Sequence, residues 1–101
     1  MSLLIESFGN RAARLVWDGQ GSKELPEDLH QRALVLMKIM HYSTRMEDLR
    51  IKGEPPTIRL HKLKGNRKDQ WSITIQLPWC ITFKFKDGRY SDVQVENYHK
   101  G

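Results

Sequence analysis

The spacing of hydrophobic residues divides the chain into a helical N-terminal half and a strand-forming C-terminal half. Apolar residues recur at helical spacing over roughly 26–42, whereas from about residue 57 they alternate with polar residues. Helices followed by consecutive strands predict an α+β domain, with the helices packed on one face of a mostly antiparallel sheet. At 101 residues the chain has the size of a single domain, which we assign to 1–101.

Two helices are predicted in the N-terminal half. Asn10 can cap a helix over roughly 11–17, because its side chain can accept a hydrogen bond from an early backbone amide, and the glycine-containing segment 18–22 ends that helix. Pro26 suits the first turn of a second helix that continues to about Tyr42. The residues expected to form its buried stripe are Leu29, Ala33, Leu36 or Met37, and Met40.

The second helix carries more apolar residues than one buried face requires. Leu34, Val35 and Ile39 widen its stripe, which favours a core helix contacted from two sides over a surface for a partner protein. A further short turn is predicted at 44–47, which has the spacing of a capping box, and 53–56 ends the helical half. The run Leu3–Ile5 is compatible with a first strand.

The C-terminal half predicts strands with one apolar face and one polar face. Strands are expected over 57–61, 71–77 and 79–86, and a last strand passes through Val93 and Val95. Pro78 marks one tight connection, and the Asp87–Gly88 pair is a strong hairpin signal. The polar face is expected to be uncovered and to present Arg59, His61, Thr74, Gln76, Cys80, Thr82 and Lys84.

Composition narrows the class of protein. A net charge of +5 and a pI near 9.6 favour a polyanionic partner, although charge alone fits an ordinary basic domain equally well. The single cysteine cannot form an internal disulfide, which fits a reducing cytoplasm, where we expect the protein to be located. No apolar run approaches the ~20 residues that span a bilayer, and no signal peptide is recognised.

No cofactor or metal is expected. There is no acidic cluster for a hard cation, and His61 and His99 alone would not make a zinc site. Neither a phosphate-binding P-loop nor a Gly-x-Ser-x-Gly elbow is present. The remaining possibility is metal-free acid–base chemistry beside concentrated positive charge.

RNA cleavage needs that combination. The 2′-hydroxyl must lose a proton, the leaving 5′-oxygen must gain one, and the added negative charge must be held. His61 and His99 can perform either proton transfer, since histidine has an unperturbed pKa of about 6.5. Tyr98 can stack on a base or hydrogen-bond the phosphate. The cations that can stabilise the phosphate are Arg59, Lys64, Arg67, Lys68 and Lys84.

Four segments of the C-terminal half resemble the HigB-type toxins of the RelE/ParE superfamily, which are often described as plasmid-maintenance killer proteins. The segments are 60–67 (LHKLKGNR), 71–73 (WSI), 79–83 (WCITF) and 96–99 (ENYH). Their order and spacing agree over roughly the last 45 residues, and as a set they are specific.

The resemblance implies a compact RelE-like toxin that enters the ribosomal A site and cuts messenger RNA during translation. It also implies a cognate HigA-like, helix-turn-helix antitoxin. Operator DNA would be bound through that antitoxin and not by the toxin itself. Carried over to this chain, the functional residues are His61, Tyr98 and His99, and Lys64 and Arg67 would bind phosphate.

Two positions depart from the family pattern. Cys80 stands where the family usually has an active-site arginine, and Asn97 stands where it usually has an aspartate. Loss of a cation facing the scissile phosphate is expected to cost ~3–4 kcal/mol of transition-state stabilisation. Lys84 or Arg59 are candidates to supply the missing charge.

Three functions therefore stay open. The first is a ribosome-dependent mRNA endonuclease, and the second is a toxin-like protein with weakened catalysis that acts through its antitoxin or by binding RNA. The third is a ParE-like gyrase inhibitor, which needs no nuclease histidines. His61 together with His99 argues against the third function, whereas Cys80 and Asn97 keep the second open.

Overall fold

The helices and strands follow the division predicted by the hydrophobic pattern. The computed structural model describes residues 5–21, 23–42, 61–76 and 78–97. The helices are α1 (Arg11–Trp17) and α2 (His30–His41), and a 3-10 turn at Glu27–Leu29 leads into α2. The strands are β1 (His61–Lys62), β2 (Trp71–Gln76), β3 (Trp79–Lys86) and β4 (Arg89–Asn97), with a 3-10 turn at Gly65–Arg67 between β1 and β2.

The strands form an antiparallel sheet in the order β1-β2-β3-β4. The predicted hairpin at Asp87–Gly88 is confirmed, and both residues have positive φ, as a two-residue hairpin turn requires. Ile5 and Phe8 make isolated parallel bridges to β4, so the N-terminal segment runs beside that strand. The α+β architecture, with an antiparallel sheet, is therefore confirmed.

One face of the sheet is covered by the two helices. Trp71 and Trp79 pack against the margin of this core, as do Leu34 and Ile39 from α2. Val35, in contrast, stays 43% exposed. The buried core contains all the residues of the predicted stripe, namely Leu29 of the 3-10 turn and Ala33, Leu36, Met37 and Met40 of α2, with Ala12, Ala13 and Val16 of α1 and Ile73, Ile75, Ile81, Phe83, Tyr90, Val93 and Val95 of the sheet.

Some predictions fall outside the described residues. These are the run Leu3–Leu4, the turn at 44–47, the helix end at 53–56 and the strand positions 57–60, including Arg59. Within the described residues, no helix is long and apolar enough to cross a membrane.

Asn10 caps α1 as predicted and also joins that helix to the sheet. Its Oδ1 accepts from the Ala13 amide at 3.0 Å and from the Val95 amide at 3.3 Å. Its Nδ2 donates to the Val95 carbonyl at 2.9 Å. One side chain thus hydrogen-bonds a backbone amide at the start of α1 and both the amide and the carbonyl of Val95 on β4. These bonds fix the helical layer against the strand.

Replacing Asn10 with alanine should lower the free energy of unfolding by about 2 kcal/mol, because the cap and both bonds to Val95 are lost together. Urea denaturation measures the change. Asn66→Ala is the matched control, since Asn66 is an exposed asparagine in the β1–β2 loop, and it should change the value by less than about 0.5 kcal/mol. Equal losses in the two variants would contradict this role of Asn10.

Candidate functional site

The face of the sheet away from the helices is closed at its centre. Ser72, Thr74, Cys80 and Thr82 are only 2%, 6%, 4% and 0% exposed. They face one another across β2 and β3, because Ser72 pairs with Thr82 and Thr74 pairs with Cys80. The expectation that Thr74, Cys80 and Thr82 lie on an uncovered face is therefore wrong. One physical reason is that the Arg67 side chain folds back from the loop onto Thr82.

The loop between β1 and β2 is held in shape by its own backbone. Leu63 N–H donates to the Gln70 carbonyl at 2.9 Å, and Gln70 N–H donates to the Arg67 carbonyl at 2.9 Å. Gly65 has φ +67°, a conformation that side chains disfavour, at the start of the 3-10 turn. The positive φ explains the glycine in the Leu-Lys-Gly segment. The backbone hydrogen bonds hold the main chain of the loop lysines in place.

These lysines line an open groove of about 570 Å³, which we call the loop groove. Its walls are formed by Lys62, Leu63, Lys64, Gly65, Lys68 and Asp69. The Lys84 ammonium of β3 lies 3.6 Å from the Asp69 carboxylate, so a fourth lysine reaches the same region. Three of the predicted phosphate-binding residues, Lys64, Lys68 and Lys84, are thereby brought together. The groove also includes Lys62, which contributes a cation that the predicted site set lacks.

The side chain of Arg67 folds back from this loop into a network with Glu96, Thr82 and Gln70, none of which belongs to the predicted site. Its Nη1 donates to Glu96 Oε1 at 2.9 Å, and its Nη2 contacts the other carboxylate oxygen. Thr82 donates its hydroxyl to Glu96, and Arg67 Nε donates to Gln70 Oε1 at 2.8 Å. Alternation could have revealed Glu96, because it lies on the same face as Cys80. No pattern in the sequence predicts that the Arg67 side chain folds back onto the sheet.

The network controls the ionisation of Glu96. Burial alone would raise the pKa of this carboxyl, but the hydrogen bonds from Arg67 and Thr82 and the guanidinium charge outweigh it and lower the pKa below its ordinary value. Glu96 is therefore a carboxylate at neutral pH. It offsets the charge of Arg67 at the centre of this face.

Cys80 pairs directly with Glu96 across β3 and β4. Burial raises the pKa of the Cys80 thiol, and Glu96 raises it further, while a hydrogen bond with Ser72 and the charge of Arg67 act in the opposite direction. The thiol is thus buried and protonated at neutral pH. It supplies neither the positive charge of the arginine expected at this position from the family resemblance nor an activated nucleophile.

The remaining predicted site residues are only partly described. The backbone of His61 lies in β1, paired with Ser72, next to the loop groove. Asn97 ends β4 opposite Trp79 and is exposed. The His61 side chain, Arg59, Tyr98 and His99 lie outside the described residues, so their convergence stays a prediction. Among the residues that are described, no three potential ligands come together to hold a metal ion.

Comparison with known proteins places these features in a family. Residues 7–99 match the family model for the HigB-like toxin, described as the RelE-like toxin of the type II toxin–antitoxin system HigB. The chain is also similar to the endoribonuclease HigB of Proteus vulgaris, with 28% identity over 96 residues. That alignment covers 95% of this chain and the whole of the relative.

The depressed pKa of Glu96 predicts a loss of stability in acid. Because the pKa is lower in the folded chain than in the unfolded one, the contribution of this group is present above the unfolded pKa of about 4.3 and is lost as pH falls through the folded value. Urea denaturation should therefore find wild type more stable than Glu96→Gln at pH 7, with a smaller difference at pH 3. Glu27→Gln, which alters an exposed carboxylate, gives the baseline. A difference that does not shrink in acid would contradict this assignment.

Proposed function

The chain belongs to the HigB-like family of RelE-like toxins of type II toxin–antitoxin systems, and we propose that it is an endoribonuclease that cuts messenger RNA on the ribosome without a metal ion. The observation that carries the proposal is the loop groove. Its lysines follow His61 directly in the chain, so a phosphate bound there lies near a residue that can move protons. The name of the Proteus vulgaris relative supports the same reaction class.

In this reaction the lysines of the loop groove hold the RNA backbone. Lys64 and Lys68 bind the phosphates on either side of the turn at Gly65–Arg67, and Lys84 of β3 lies beside them, ion-paired with Asp69. Tyr98 stacks on a base or hydrogen-bonds the phosphate. Arg59 precedes His61 by two positions, so along an extended strand it would add a cation on the same face.

The chemical step is a proton exchange between two histidines and the RNA. One of His61 and His99 takes the proton of the 2′-hydroxyl, whose oxygen attacks the adjacent phosphorus. The other gives a proton to the departing 5′-oxygen. The bond between phosphorus and the 5′-oxygen breaks, which leaves a 2′,3′-cyclic phosphate and a 5′-hydroxyl. Cations beside the phosphate stabilise the negative charge that grows during the attack.

Membership of a type II family implies a protein antitoxin as partner. We assign that role to a HigA-like, helix-turn-helix protein encoded with the toxin, which represses the shared operon through its own contacts with operator DNA. The ribosome and messenger RNA are the other partners. The net charge of +5 fits both of these polyanions.

A second candidate is a toxin with weakened catalysis that acts by binding. Two observations favour it. Cys80 is buried and uncharged where the family resemblance places an arginine, and Arg67 is paired with Glu96. The centre of this face thus offers less positive charge than its sequence suggests.

In vitro translation with purified protein, followed by mapping of mRNA ends, tests the first candidate. Wild type should cut translated mRNA at codon-dependent positions, and His99→Ala should reduce cutting by about 100-fold or more, because a proton-transfer group is lost. His30→Gln is the matched control, since His30 lies in the helical layer and bonds the Leu25 carbonyl. Intact mRNA at high wild-type concentration, with cutting gained by Cys80→Arg, would identify the second candidate instead.

Binding of a fluorescent single-stranded RNA, measured over a range of salt concentrations, tests the loop groove. Each of Lys64→Ala and Lys68→Ala should weaken binding and flatten the plot of log affinity against log salt by ~0.7, as expected for one lost phosphate contact. Lys38→Ala removes an exposed lysine from α2 and should leave the slope unchanged. A groove that binds no RNA would give equal slopes in all four proteins.

A further inference from the structure

Arg67 and Glu96 connect two segments that are distant in sequence. The guanidinium contacts both oxygens of the carboxylate, and the two residues are separated by 29 positions. Arg67 lies in the loop that carries Lys64 and Lys68, whereas Glu96 lies at the end of β4, just before Asn97. A two-point contact of this kind fixes angle as well as distance, because guanidinium and carboxylate are both planar.

Further hydrogen bonds hold this pair in one arrangement. The Thr82 hydroxyl donates to Glu96, Arg67 Nη2 lies 3.3 Å from Thr82 Oγ1, and Arg67 Nε donates to Gln70. The side chains of Arg67 and Glu96 are 33% and 22% exposed, and Thr82 is fully buried. A half-buried pair with this many bonds is costly to separate, since each partner would leave the other uncompensated.

The same bonds limit what Arg67 can do for RNA. Its Nε and both terminal nitrogens already donate to Gln70, Glu96 and Thr82. A phosphate that approached the guanidinium would also meet the negative charge of Glu96. Among the described residues, Lys64 and Lys68 form no ion pair with a carboxylate, so they are better placed for the RNA backbone.

We propose that Arg67 and Glu96 form a positioning clamp, locked by Thr82, which sets the loop groove against the end of β4. Arg67 then acts through Glu96 and not as a phosphate ligand, which differs from the role that the family resemblance implies. The inference rests on the proposed function, because the groups being aligned are the groove lysines on one side and Tyr98 and His99 on the other.

Cleavage kinetics on programmed ribosomes test the clamp through Arg67→Gln, Glu96→Gln and the double variant. Each single variant should lower kcat by about 10-fold or more with KM changed less than about 2-fold, because alignment and not binding is lost. The double variant should be no slower than the slower single variant, because both substitutions remove the same contact and their effects do not add. A raised KM and a flatter salt dependence of RNA binding for Arg67→Gln alone would make Arg67 a phosphate ligand and overturn the clamp.

Thr82→Val provides a variant that keeps the fold if the charge variants unfold. It retains the shape of the threonine and removes one hydroxyl that donates to Glu96. It should lower kcat by about 5-fold, the equivalent of one hydrogen bond, again with KM unchanged. Ser91→Ala changes a half-buried hydroxyl elsewhere on β4 and is the matched control. Equal kinetics for Thr82→Val and Ser91→Ala would reject the role of Thr82.

Hydrogen–deuterium exchange separates the clamp from the proposed function. If wild type cuts no mRNA, the proposed function fails, but the clamp still predicts a long-range effect. Glu96→Gln should speed exchange at the Leu63 and Gln70 amides of the loop by several-fold, although the substitution lies in β4. Unchanged exchange in the loop would overturn the clamp whatever the activity.

Discussion

The antiparallel register between β3 and β4 determines which side chains meet on each face of the sheet. Ile81 pairs with Val95 on the face covered by the helices, and Cys80 pairs with Glu96 on the other. Because side chains alternate with a period of two, a slip of one residue would exchange the faces and turn Glu96 into the core. The hairpin at Asp87–Gly88 does not set this register alone, because the pairing of β3 with β4 shifts by one residue between Thr82 and Lys84. Without that shift, the hairpin's pairing of Lys86 with Arg89 would place Cys80 opposite Val95.

That register allows a polar face to be buried without leaving its charges uncompensated. Removing an ion from water is costly unless it gains both an opposite charge and hydrogen bonds. Arg67 and Glu96 provide the charges, and Thr82 provides a further bond to the carboxylate. The thiol of Cys80 stays protonated in the same place, so it adds no charge. Positive charge is consequently concentrated in the loop groove at the rim.

The sequence predicts the elements better than it predicts the site. The change of period from helical to two separates α2 from β2, and Asn10 marks the start of α1 with a side chain that can act as a cap. The clustering of the lysines in the loop groove was also predictable, because residues of one short loop lie close together in space. The burial of Thr82 was not, since alternation assigns a side chain to a face but does not say what folds over that face.

Cys80, at the position where the family resemblance leads us to expect an arginine, bears on the charge balance around Glu96. An arginine at this position would share the carboxylate with Arg67, because positions 80 and 96 are paired. With cysteine there, the described cation that pairs with Glu96 is Arg67, and the two charges offset each other. The centre of the face is then close to neutral. In the function that we propose, RNA is therefore attracted by the exposed lysines of the rim, whose interaction is screened by salt, whereas the pair at the centre holds the geometry.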